Sequence, residues 1–131
     1  MTQEDFVQRI HHTLRRGVKF NSPKVGSSEV INLTEKHIAY QKGDTIYRLS
    51  FEGMFRTYQH FKGMKISTTQ LKLFDPATFS PTTGPTGSDY NCVFFFMVLR
   101  ILGLAGAIDG SGVSSAPFYC RILAPQTEAA L

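Results

Sequence analysis

Between Cys92 and Leu102 the chain reads Cys-Val-Phe-Phe-Phe-Met-Val-Leu-Arg-Ile-Leu, and Arg100 is the one residue there that is not apolar. A segment apolar on every side must be covered on every side, so any fold of this chain has to pack other elements all around this run. Its length favours a helix, with Ser88 or Asp89 to cap the start and Gly103 to supply a left-handed stop. The abundance of Val, Ile and Phe leaves a central strand as the alternative. Spanning a bilayer takes about 20 apolar residues, roughly twice what is present, so the run reads as a core helix and no membrane association is expected. Burial of Phe94, Phe95 and Phe96 alone contributes several kcal/mol at about 25 cal/mol per Å² of apolar surface.

A chain of 131 residues with 42% hydrophobic and 18% charged residues is expected to fold as one domain over 1–131 with a core that needs no staples. Within it the sequence divides into 1–28 (a helix and a connection), 29–66 (a meander and a helix), 67–125 (helices and a C-terminal hairpin) and a tail at 126–131. Cys92 and Cys120 lie among apolar neighbours and no signal-peptide pattern opens the chain, which predicts reduced thiols and a cytoplasmic setting. The net charge of +4 is uneven: residues 1–26 carry five basic and two acidic groups, 27–66 six and four, and 67–131 three and four, giving +3, +2 and −1. The positive charge therefore belongs to the first half.

Thr2-Gln-Glu-Asp opens a helix in which Thr2 caps and the acids meet the positive first turn, with Phe6, Val7, Ile10 and Leu14 on one face. Arg15, Arg16 and Gly17 predict its end, giving a helix over Gln3–Arg16. Val18–Ser28 reads as a connection with a short strand at most over Val18–Phe20. From Glu29 the period changes to two. Val30–Leu33, His37–Gln41 and Thr45–Leu49 predict a three-stranded antiparallel meander turned at Gly43, with Ile38, Tyr40, Ile46 and Leu49 competing for the core side. Ser50 then caps a helix whose Phe51, Phe55, Tyr58 and Phe61 share a face, Glu52, Arg56 and His60 share the other, and Gly63 ends it. Ser67, Thr68 and Thr69 offer caps for a short helix through Phe74, stopped by Asp75-Pro76. The Pro- and Gly-rich stretch Phe79–Gly87 predicts a long loop suited to partner contact. Leu104–Ile108 and Pro117–Leu123 read as a hairpin, and Gln126–Leu131 as a frayed tail.

The fold class is thus α+β, and its second half has the order of a winged helix-turn-helix: helix, short helix, apolar helix, hairpin. In such a domain the last helix offers its first residues to the major groove while the hairpin touches phosphates. Ser88, Tyr90 and Asn91 would be the readers. Arg100 is the helix's only base, Asp89 would repel phosphate, and the hairpin tip carries Asp109 and no Lys or Arg, so this helix serves equally well as core alone. A second electrostatic candidate comprises Arg15, Arg16, Lys19 and Lys24 near the first helix and Arg56, Lys62 and Lys65 near the second, each able to neutralise a phosphate.

The sequence argues against catalysis. Cys92 precedes Val93 and Phe94, surroundings that raise a thiol's pKa; only its place near a helix start favours a thiolate. His11, His12, His37 and His60 show no ligand spacing with the cysteines, and no Gly-Lys-Ser/Thr phosphate loop is present, so neither a metal nor another cofactor is expected. Two functions follow: a non-catalytic nucleic-acid-binding domain of winged-helix type, or a protein-interaction or self-association module using Phe79–Gly87 and the strand edges.

Overall fold

The computed structural model describes residues 1–22, 26–80, 89–110 and 117–125. Helix α1 spans Gln3–Thr13 and opens with a capping box, Thr2 Oγ1 accepting from the Asp5 amide while the Asp5 carboxylate accepts from the Thr2 amide. It ends three residues before the expected Arg16, because Leu14 is already extended at φ −107° and ψ 138°. Gly17 does take a left-handed conformation, at φ 95°, but it serves a turn. Its N–H donates to the Val30 carbonyl at 2.7 Å and launches the first strand.

Four strands follow, β1 (Lys19–Ser22), β2 (Gly26–Leu33), β3 (His37–Lys42) and β4 (Thr45–Ser50), paired antiparallel in the order β1-β2-β3-β4. The sheet has a fourth strand, β1, where the sequence allows at most a short one over Val18–Phe20, and β2 begins at Gly26 and not near Val30. Gly26, Ser27 and Ser28 have low strand propensity, yet they pair with Ser22, Asn21 and Phe20, and ladder formation overrides local preference. A register shift between Val30 and Asn32 leaves Ile31 out of the pairing, which explains the imperfect alternation there. The β3–β4 turn is Gly43-Asp44, with φ 60° at Gly43 and no positive φ at Asp44, the II′ form that needs glycine first. Ile38, Tyr40 and Leu49 are buried, whereas Ile46 is 46% exposed, because the two-residue period sends it to the face opposite Leu49.

The second half runs α2 (Phe51–Phe61), β5 (Lys65–Ser67), α3 (Thr68–Phe74), α4 (Pro76–Phe79), α5 (Tyr90–Ile101), β6 (Ala105–Gly110) and β7 (Phe118–Ile122). Ser50 caps α2 through the Gly53 amide, and Ser67 and Gln70 form a capping box on α3. Asp75 both ends α3 and caps α4, a single turn opened by Pro76 where the sequence predicts only a stop, and this turn takes in Phe79, the first residue of the expected loop. Strand β5 was also unforeseen, and it places β7 in the middle of a second sheet ordered β5-β7-β6.

Helix α5 settles the choice over residues 92–102, and every residue from Asn91 to Leu99 is buried. The Phe94 ring stacks on Tyr40 at 4.0 Å and meets Phe20 edge-on at 5.3 Å, so the meander roofs one side. Phe79 covers Phe95 from α4 at 5.2 Å. Asp89 stands at the N-cap position without a cap hydrogen bond; its carboxylate instead pairs with the buried Lys72 at 2.6 Å and accepts from Thr68 Oγ1 at 3.2 Å. Gly103, at φ 77°, ends the helix as expected. Among the described residues no helix is long and apolar enough to cross a membrane.

Candidate nucleic-acid interface

The basic residues singled out in the sequence are spread over the molecule. Arg15 and Arg16 are exposed, with no ion pair among the described residues. Lys19 lies 3.9 Å from Glu29, a loose surface pair across the β1–β2 ladder. Lys62 reaches Gln59 at 3.0 Å, and Lys24 and Ser88 lie outside the described residues, as do the loop beyond Ser80, the hairpin tip and the tail. Arg56 is engaged by Asp75 at 2.5 Å and by Glu52 at 3.4 Å.

Of the expected readers that are described, Asn91 faces inward and Tyr90 is half-buried. Asn91 is buried; its amide donates to the Thr78 carbonyl at 2.9 Å and its Oδ1 accepts from the Tyr40 hydroxyl at 2.6 Å. Burial raises the Tyr40 phenol, with Tyr47 adding to the effect, so that hydroxyl stays a donor. Tyr90 is half-buried, edge-on to Tyr47 at 5.7 Å, with the Lys42 ammonium 4.9 Å from its ring centre. The first turn of α5 is therefore a seam joining the meander to the helices. The meander occupies the side that a groove-reading helix would turn to DNA.

The outer face of the second sheet joins Lys65, one of the expected basic residues, to Tyr119 and Arg121, which the charge survey missed. Lys65 on β5 is the register partner of Arg121 on β7, so the two side chains leave the sheet on the same face. Tyr119 lies two residues from Arg121, on that same face, and is 43% exposed. Asp109, the register partner of Tyr119, holds Lys65 at 3.1 Å, which confirms that all four share the face. Arg121 has no ion pair among the described residues. Cys120 points the other way, into the core, where burial pushes its thiol up to about 11 while Arg100 and Lys65 pull it down, so both cations lie within electrostatic reach of this sheet. The signal was present in Phe118–Ile122, where polar Tyr119 and Arg121 alternate with apolar neighbours.

Catalytic chemistry finds no support in the thiols. The Cys92 Sγ donates to the Thr68 carbonyl at 3.6 Å, and burial raises its pKa strongly, with Asp89 adding to the rise. His60, one of the four histidines, is stacked on Phe74 at 4.5 Å and lies edge-on to Phe61. Among the described residues no three His, Cys, Asp or Glu side chains are grouped to hold a metal ion.

A cleft of about 610 Å³ opens between β4, the start of α2 and α4. Arg56, Asp75, Thr78 and Asn91 of its lining form a chain of contacts that continues to the buried Tyr40 hydroxyl, and within it Asp75 Oδ2 accepts from Thr78 Oγ1 at 2.7 Å. Comparison with known protein families, with curated proteins and with solved structures finds no match for this chain.

Proposed function

We propose that this chain is a non-catalytic nucleic-acid-binding domain of winged-helix type that holds phosphates on the outer face of its hairpin sheet and does not read bases through α5. The succession α2, β5, α3, α5, β6, β7, interrupted by the single turn α4 between α3 and α5 and with β7 between β5 and β6, supports the winged-helix reading of the second half. The observation that carries the proposal is the Lys65–Arg121 register pair beside exposed Tyr119. Arg121, and Lys65 once it exchanges the exposed Asp109 for phosphate, hold a backbone, and a solvent-facing aromatic ring stacks on an unpaired base. With α5 enclosed, affinity comes from counterion release and stacking, so binding is sequence-tolerant and salt-sensitive.

Fluorescence anisotropy with a labelled generic duplex and a labelled single strand, across a salt series, tests this. Binding is expected to weaken steeply with salt, and Arg121→Ala is expected to flatten the log–log slope by about 0.9 on duplex DNA, the share of one phosphate contact. Tyr119→Ala is expected to weaken the single strand more than the duplex. Absence of binding at low salt, or binding unaltered by both substitutions, overturns the proposal. The second reading, a protein-interaction module, is favoured by the outer edge of β4, which pairs with no strand among the described residues.

A further inference from the structure

We infer that the cleft beside β4 is a docking groove for a short extended peptide of another protein, which adds to the sheet as a fifth strand. Strand β4 ends the sheet order, so its outer edge pairs with no strand among the described residues. The turn fixes which groups that edge offers. In a two-residue II′ hairpin the flanking residues Lys42 and Thr45 exchange both hydrogen bonds, and pairing then alternates along an unshifted ladder. Thr45, Tyr47 and Leu49 therefore spend their backbone groups on β3, while the N–H and C=O of Ile46 and Arg48 face outward. Both residues line the cleft.

Three further observations fit a peptide. The opposite wall contains Ser80, which is more than nine-tenths buried and whose hydroxyl has no hydrogen-bond partner among the described residues, so a polar group is wanted inside the groove. The charged side chains of the lining cancel, Arg48 and Arg56 against Glu52 and Asp75, with His37 and Tyr47 the remaining titratable groups. A neutral lining suits the alternating dipoles of a peptide backbone better than a polyanion. Ile46 and Arg48, at alternate positions, lie two rises of ~3.4 Å apart and span a three-residue length of strand, the reach of a short linear segment.

The probe is a combinatorial library of capped pentapeptides, the tightest binder being carried into amide hydrogen exchange on the intact chain. Its binding is expected to slow exchange at Ile46 and Arg48 by tenfold or more while leaving Tyr47 unchanged. Ile46→Pro and Arg48→Pro each delete only an outward N–H, which an edge strand tolerates, and each is expected to abolish binding with the fold retained by circular dichroism. N-methylation of the peptide is expected to hurt at alternate residues only, a readout independent of any variant's folding. Ser80→Ala is expected to weaken binding several-fold. A library without binders, a bound peptide that protects neither amide, or concentration-dependent protection of both amides without peptide, which would make a second copy the occupant, overturns the inference. DNA binding is measured separately and rises or falls independently of these results.

Discussion

At Gly53, in the first turn of α2, a side-chain carbon would run into Thr78 Oγ1 and Ser50 Oγ and crowd the Asp75 carboxylate, so the hydrogen is required by close packing. Gly53→Ala is expected to destabilise by about 1–3 kcal/mol in urea unfolding despite alanine's better helix propensity. The cysteines make a second case at this scale. Cys92 and Cys120 behave as small hydrophobes, and both should resist alkylation at neutral pH in the native state and react at once when unfolded. Rapid native alkylation of Cys92 would reinstate a catalytic reading. The same burial predicts alkaline sensitivity. Cys120 titrates near 9.0 when exposed and is pushed up to about 11 in the fold, so the unfolded chain loses its proton first. That contribution to stability is intact below pH 9 and drains away as pH rises through 11, with Cys92, Tyr40 and Tyr58 acting in the same direction. The urea midpoint should therefore fall between pH 8 and pH 10.5.

At the scale of elements, α5 depends on neighbours distant in sequence. Phe95 is fully enclosed, and Phe95→Ala is expected to cost about 3–5 kcal/mol. Tyr40→Phe removes a donor from a buried amide 51 residues away and is expected to cost about 1–3 kcal/mol, most of it from stranding Asn91 Oδ1. A melting midpoint unmoved by either substitution contradicts the seam. The caps at Thr2, Ser50 and Ser67, the Gly43 turn and the aromatic face of α2 were legible in the sequence because each is set within four residues or by one period. Strand β5 was not, since Lys65-Ile66-Ser67 is too short to show a period and exists only through pairing with β7. The seam was not legible either. Asn91 looks like a polar helix start suited to a ligand, and only the arrival of Tyr40 and Thr78 turns its amide inward. Likewise Arg56 looked like free charge until Asp75, from a turn helix the sequence did not reveal, closed on it.

Over the whole molecule one apolar cluster runs from Phe6 in α1 through Val30, Tyr40 and Phe94 to Ile122 in β7, tying both sheets to α5. Such continuity predicts a single unfolding transition, with tyrosine fluorescence and far-ultraviolet circular dichroism coinciding. Under the proposed nucleic-acid reading, the enclosure of α5 directs binding elsewhere: the meander packs on the start of the helix, while Tyr119 keeps the outer face of β5-β7-β6 partly exposed. The most direct test is an NMR titration of the isotope-labelled chain with a generic duplex at low salt, following backbone amides. Shifts concentrated at Lys65, Tyr119 and Arg121, with Asn91 to Leu99 unmoved, are the predicted result; shifts centred on Tyr90 and Asn91, or none at any position, would contradict it.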